Sequence, residues 1–316
     1  MRTPQTNGHG QPPDDQGAEQ PDEAQLDEMS VAAITSRMNE LDFAIPVAIH
    51  GALPAITAAV EAAEVGFAAG GRLIYVGAGT SGRLGVLDAS ECPPTFHTDP
   101  SRVVGVIAGG PRALVDAVEG AEDDREAGAA AVRALTLDPL DTVVGLAASG
   151  RTPYVRGALL EAHRNGAVTV SLSCVTPAEL SALADYPIEV PVGPEILSGS
   201  TRLKAGTAQK QVLNMISTAL MVRVGRTYGN LMVEVSASNA KLRSRAVDLV
   251  RRIADVDEQR AVEALGAADQ EVTTATVMLV RGEDAAHARA RLKAVGGRLG
   301  PAIGISSSRH PGLRRP

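Results

Sequence analysis

The sequence has no tryptophan, three phenylalanines and four tyrosines among 316 residues. Binding of single-stranded nucleic acid relies on bases stacked on aromatic rings, and seven rings offer few such platforms. Only two cysteines occur, Cys92 and Cys174, and neither sits in a C-x-x-C pattern. That excludes a disulfide framework or a zinc cage and fits a reducing compartment. The six histidines, His9, His50, His97, His163, His287 and His310, form no H-x-x-x-H pair, so nothing points to a metal. Also missing are an apolar run of about 18 residues and a basic stretch leading into an apolar core at the N-terminus. Neither a membrane span nor a secretory signal is expected, and the chain reads as cytoplasmic. There is no G-x-S-x-G elbow for an esterase triad and no basic helix-turn-helix segment before residue 47.

An excess of base is absent too: 37 acids face 30 bases, for a net charge of −7. That argues against a surface built to coat nucleic acid or a membrane. The acids are unevenly spread, since Asp14, Asp15, Glu19, Asp22, Glu23, Asp27 and Glu28 face Arg2 alone within the first 28 residues. This segment has no valine, isoleucine or aromatic residue, cannot offset its ordering entropy by burial, and is read as a disordered tail.

What the chain does have is 32 glycines and 44% hydrophobic residues, enough to bury a sizeable core. From about Val31 to Ala69, Ile45, Ile49, Leu53, Ile56, Val60 and Ala63 recur at helical spacing, and Gly70-Gly71 ends the run. Short β-branched runs follow at Leu73 to Val76, Val103 to Ile107, Thr142 to Leu146, Val168 to Leu172 and Ile188 to Val192. Each precedes a glycine- or serine-rich loop and a helical stretch. Short apolar strands alternating with helices imply an α/β fold, a doubly wound parallel sheet covered on both faces. A long helix is expected over 202–224, then short helices over 237–253, 256–265, 268–280 and 283–294. The expected organisation is a tail over 1–28, an α/β domain over 29–235, a small helical domain over 236–300 and a second tail over 301–316.

The first strand runs into Gly77-Ala78-Gly79-Thr80-Ser81-Gly82-Arg83, a G-x-G-x-x-G match. No acid stands at the end of the second strand, as a dinucleotide fold would require, and Arg83-Leu84 replaces the Lys-Ser/Thr of a P-loop. The Ser-Gly-Arg triplet returns after the third strand, in Ala148-Ser149-Gly150-Arg151-Thr152-Pro153. Either loop alone reads equally as a capped turn. Two such loops at strand carboxyl ends offer hydroxyls and free N–H groups that suit a phosphate monoester. Glu91 precedes Pro93 and Pro94, which are expected to break their helix. Glu119, Glu122 and Glu126 would share one face if their segment is helical. Both clusters read first as solvated charge; beside a phosphate pocket, paired carboxylates suit acid–base work. The segment Ser198 to Lys210 opens the long helix with hydroxyls and the bases Arg202, Lys204 and Lys210. It reads either as a cap with solvated charges or as closure of an anion site.

Gly71 to Thr95, Val144 to Val155 and Gly199 to Val233 closely resemble the N-acetylmuramic acid 6-phosphate etherase family, and the similarity spans about residues 29 to 300. The resemblance implies a sugar isomerase (SIS) domain with a small helical domain, working as a homodimer without metal or redox cofactor and binding a small-molecule sugar phosphate. The implied reaction cleaves the lactyl ether of N-acetylmuramic acid 6-phosphate, giving N-acetylglucosamine 6-phosphate and (R)-lactate in cell-wall amino-sugar recycling. The family's catalytic glutamates fall on Glu91, as the acid that protonates lactate and later activates water, and on Glu122, as the base at C2. Thr80, Ser81, Ser149 and Thr152 fall on phosphate and sugar contacts by the SIS pattern, with Gly79 letting the backbone approach. Arg151, Ser200 and Lys204 are further contacts. The two ends depart from the family pattern. An aldose–ketose isomerase or a non-catalytic sugar-phosphate sensor would use the same fold; the two glutamates favour an enzyme.

Overall fold

The computed structural model describes residues 26–234 and 240–305. The tail expected over 1–28 lies outside the described residues except for Leu26–Glu28, a single 3-10 turn. Of the second tail, residues 306–316 also lie outside them.

The first helical stretch is divided into α1 (Val31–Asp42) and α2 (Ala44–Ala68). Ser30 caps α1 by accepting from the Ala33 N–H at 3.2 Å. The break follows from Pro46, which has no N–H to donate to the Asp42 carbonyl. The inward row of α2 is Ile45, Ile49, Ala52, Ile56, Ala59, Val60, Ala63 and Phe67, while Leu53 is 38% exposed. By length and composition alone Val31–Ala68 could cross a membrane, since one 18-residue stretch of it reaches a mean hydropathy of 1.8. The row on α2 packs into the main core instead.

Five parallel strands, β1 (Leu73–Gly77), β2 (Val103–Ile107), β3 (Thr142–Leu146), β4 (Val168–Ser173) and β5 (Tyr186–Glu189), form one sheet in the order β2-β1-β3-β4-β5. Period-two alternation divides the sheet between two layers. Leu73, Tyr75, Val144, Leu146, Val170 and Leu172 face α2, α3 (Gly79–Phe96) and α6 (Lys204–Arg223). Ile74, Val76 and Val143 face α4 (Arg125–Ala134) and α5 (Pro153–Arg164). The doubly wound α/β class is therefore present. β5 begins two residues earlier than expected and ends at Glu189 because Pro191 cannot extend a ladder; Pro187 is tolerated because β5 is an edge strand.

Beyond α6, a hairpin of β6 (Thr227–Tyr228) and β7 (Leu231–Met232) leads to α7 (Ala240–Ala254), α8 (Glu258–Ala267), α9 (Val272–Arg281), α10 (Ala285–Ala294) and α11 (Leu299–Ile303). These surround a separate core that includes Leu249, Val250, Leu265 and Val277. The hairpin and α11 were not expected. α9 starts later than the sequence suggests because Asp269 and Gln270 adopt positive φ.

Candidate functional site

β1 lies beside β3 although β2 separates them in sequence, and their following helices go to opposite faces. A crevice opens outside the carboxyl ends of strands at such a switch point. Gly77 is level with Leu146 across the β1–β3 ladder, so the two Ser-Gly-Arg loops leave the sheet side by side.

In the first loop Ala78 precedes α3 and gives it no side-chain cap, so the N–H groups of the first turn need another acceptor. Gly79 was expected to admit a close backbone approach. Instead a Cβ there would meet nothing within 4 Å, and its φ of +52° is what calls for glycine. The close approach belongs to Gly77 and Gly82: a Cβ on Gly77 would lie 2.8 Å from the Gly82 nitrogen. Thr80 is half-buried, whereas Ser81 is buried and donates its hydroxyl to Gln209 Oε1 at 2.7 Å.

In the second loop Ser149 and Thr152 are half-buried and Arg151 is exposed. The Cys174 N–H donates to the Ala148 carbonyl and the Leu180 N–H to the Gly150 carbonyl, which pins the loop against the chain after β4. Thr152 precedes α5 without a side-chain cap bond, and Pro153 takes the first helical position, where its missing N–H costs nothing.

Ser200 is half-buried before α6. The α6 N-terminus, read from sequence as a possible anion site, holds the carboxylate of Glu195, which accepts from the Lys204 N–H at 3.0 Å and the Ala205 N–H at 2.9 Å. Lys204 itself is only 4% exposed and its Nζ donates to the Val192 carbonyl at 2.9 Å. Burial pulls this ammonium below the usual lysine range, against the opposing pull of Glu195.

The two glutamates are placed differently. The segment from Glu119 to Asp123 is a turn rather than a helix, so Glu119, Glu122 and Glu126 do not share a helical face. Gly120 takes φ +72°, and α4 starts only after Asp124, whose side chain caps it through the Ala127 N–H at 2.8 Å. The Glu122 carbonyl accepts from the Tyr154 N–H at 3.0 Å, which holds Glu122 against the start of α5 beside Thr152. Glu91 is exposed on α3. It lies twelve residues, about 18 Å of helix rise, beyond Gly79, and so does not join the loops within one chain. The helix does not break ahead of the prolines: α3 includes Pro93 and Pro94 and ends at His97, which is left-handed with φ 51°. Two prolines in a last turn remove only the N–H bonds to Ala89 and Ser90, and their fixed φ fits a helix.

Sequence reasoning missed the group that fixes α3. Asp88 is 5% exposed; its Oδ2 accepts from the Tyr75 hydroxyl at 2.8 Å, and its Oδ1 accepts from Asn214 Nδ2 at 2.7 Å and the Ser217 hydroxyl at 3.2 Å. The available signal was a carboxylate on the row of Gly85, Ala89, Cys92 and Phe96, the inward row of α3. Burial, then the Asp88 charge and hydrogen bond, pushes the Tyr75 phenol well above its usual range. Burial, then the Asp88 and Glu91 carboxylates, pushes the Cys92 thiol up to about 12.

Residues 55–163 match the family described as the glucokinase regulatory protein N-terminal SIS domain. The chain is 56% identical over 277 residues to the N-acetylmuramic acid 6-phosphate etherase of Cutibacterium acnes, covering 88% of this chain and 91% of that one. It is 52% identical to the protein of the same name from Streptomyces avermitilis, covering 90% and 91%. Among solved structures, phosphoheptose isomerases from Neisseria gonorrhoeae (TM-score 0.47, 17% identity, 60% of this chain and 97% of that one) and Francisella tularensis (0.45, 21%, 62% and 97%) are similar.

Proposed function

Because the chain belongs to the N-acetylmuramic acid 6-phosphate etherase family, we propose that the two loops at the β1/β3 switch point hold its sugar phosphate while Glu91 and Glu122 move the protons. The enzyme is a carbon–oxygen lyase of peptidoglycan recycling. It cleaves the lactyl ether of N-acetylmuramic acid 6-phosphate, giving N-acetylglucosamine 6-phosphate and (R)-lactate. The reading is carried by the placement of two uncapped, hydroxyl-bearing loops side by side, with Glu122 tied to the second through Tyr154. The N–H groups of Thr80 and Ser81 and the side chains of Thr80, Ser149 and Thr152 bind the phosphate and neighbouring hydroxyls. Arg151 and Ser200 are assigned as further contacts to the sugar, while Lys204 is committed to the Val192 carbonyl.

In the open-chain sugar the C2 hydrogen lies α to the C1 aldehyde and is acidic enough for a carboxylate base. Glu122 takes that proton, and Glu91 donates one to the ether oxygen as the C3–O bond breaks, leaving an unsaturated aldehyde. Glu91, now a carboxylate, takes a proton from water as it adds to C3, and Glu122 returns its proton to C2. Each group is used twice and ends as it began, so the steps consume one water and need no oxidant.

From its phosphate to the C3–O bond the open-chain sugar spans only six bonds, well short of the 18 Å or so of helix between the first loop and Glu91. The enzyme therefore works as a homodimer in which the partner's copy of this glutamate reaches the site. Apolar surface supports this: α1 buries none of its residues, and Phe43 and Val47 are 70% and 73% exposed beside it. The free, buried cysteines fit a reducing compartment, and we place the enzyme in the cytoplasm.

Mixing Glu91→Gln with Glu122→Gln tests the arrangement. Subunit exchange between the two inactive proteins should restore lactate release to about a quarter of wild type, since half the dimers are mixed and each has one complete site. No restoration in demonstrably mixed dimers would place both glutamates in one chain. Running the wild-type reaction in ¹⁸O-water should put label at sugar C3 and none in lactate; unlabelled sugar would rule out elimination and hydration. An isomerase or a sensor would release no lactate.

A further inference from the structure

One buried amide holds donors that nothing among the described residues accepts. Gln209, in the second turn of α6, is 1% exposed. Its Oε1 accepts the Ser81 hydroxyl at 2.7 Å, while its Nε2 has no hydrogen-bond partner among the described residues. A buried amide nitrogen without an acceptor is destabilising, and such atoms mark places where a ligand or ion supplies the missing partner.

Its position says what kind of acceptor is missing. Gly206 and Gln209 are three residues apart on one face of α6. A Cβ on Gly206 would come within 3.4 Å of Thr80 Cγ2, so this face looks onto the first turn of α3. That turn starts from Ala78 without a side-chain cap, and its free N–H groups favour an anion. An oxygen bound there lies beside the amide that is already fixed to Ser81. The Ser81 hydroxyl is committed to Gln209, which leaves Ser81 its backbone N–H for the anion.

We propose that Gln209 is a further substrate-binding residue, donating its Nε2–H to the phosphate of the sugar while its Oε1 keeps the Ser81 hydroxyl. This rests on the reading of the Thr80–Ser81 loop as the phosphate site.

Two variants separate the donor from the shape. Gln209→Glu keeps the acceptor for Ser81 but removes both donors, and Gln209→Met removes donor and acceptor. Both should raise the KM for N-acetylmuramic acid 6-phosphate and the inhibition constant of inorganic phosphate by about 10-fold or more, the effect of losing one hydrogen bond to a charged group. Gln209→Glu should do so more strongly because it adds a like charge. kcat should stay within about threefold, since the phosphate contact is the same in ground and transition states. A purely structural role would lower Tm and leave the phosphate inhibition constant of the folded fraction unchanged. Folded variants with both constants within about twofold of wild type would overturn the proposal. If neither variant folds, a crystal of the wild-type enzyme with glucosamine 6-phosphate decides. Nε2 within about 3.2 Å of a phosphate oxygen supports the contact, and a separation above about 4 Å overturns it. Ser149→Ala and Thr152→Ala are measured alongside. If they raise KM and the Gln209 variants do not, only this inference fails; if none of them raises KM, the loop reading fails as well.

Discussion

At the scale of single residues, carboxylates divide between structure and chemistry according to what surrounds them. Asp88 takes three donors from β1 and α6, so removing it strands a phenol, an amide and a hydroxyl in the core. Asp88→Ala should lower stability in urea by about 3 kcal/mol, and Tyr75→Phe by about 1 kcal/mol. Glu91 stands one turn further along the same helix, exposed and free to meet substrate. Glu91→Gln should abolish lactate release while the enzyme still exchanges the C2 hydrogen of its substrate with deuterium. Glu122→Gln should lose both reactions, and exchange that survives in that variant would move the base elsewhere. The thiols are inert by contrast. Burial and nearby carboxylates hold Cys92 and Cys174 up at about 12, so iodoacetamide at pH 7.5 should leave native activity intact and label both cysteines only after unfolding.

At the scale of elements, two helices meet through glycines that no motif announced. A Cβ on Gly128 would lie 1.9 Å from the Tyr154 carbonyl oxygen, and one on Gly157 would lie 1.9 Å from that of Arg125. α4 and α5 therefore touch backbone to backbone, and the turn carrying Glu122 is set by that contact. Gly157→Ala should cost about 2 kcal/mol of stability by forcing the helices apart. It should also lower kcat by displacing Glu122, which lies on neither helix; an unchanged kcat would separate the turn from the packing. Sequence periodicity found α2, whose apolar row is regular, and the long helix expected over 202–224 is present as α6. The spacing of Glu119, Glu122 and Glu126 would put them on one face only if their segment were helical. The left-handed Gly120 and the Asp124 cap decide otherwise. Pro93 and Pro94 read as a stop, but a last turn tolerates them.

At the scale of the whole molecule, charge is segregated. Most of the net −7 belongs to the first 28 residues, and the remainder is close to neutral, so a phosphate dianion meets local donors rather than a basic surface. Acid sensitivity should come from the folded part. Burial pulls Asp141 upward, but hydrogen bonds from the Arg72 side chain and from the Asp138 and Arg72 N–H groups outweigh it and hold it below the usual aspartate range. Burial likewise opposes, and the hydroxyls of Ser181 and Thr176 with the Ala178 N–H outweigh it, to hold Glu189 low. A depressed folded value means that the unfolded chain binds protons first. The stability these groups add is complete above the ordinary values of 3.8 and 4.5 and falls as pH drops through their folded values. Urea unfolding from pH 6 to pH 2.5 should show a decline that is shallower in Asp141→Asn; an equally steep decline would assign the acid response to other groups.

By itself the sequence determined the alternation of strands and helices, the doubly wound class, the two Ser-Gly-Arg loops and, through long matching blocks, the family. These are written in local periodicity and contiguous motifs, which backbone preferences convert directly into elements. The tertiary structure alone decided which side chains meet. Asp88 reaches Asn214 and Ser217 across 126 and 129 residues, and Ser81 reaches Gln209 across 128. Those pairings depend on the order in which strands join the sheet and on which face each helix covers, and no spacing along the chain records either.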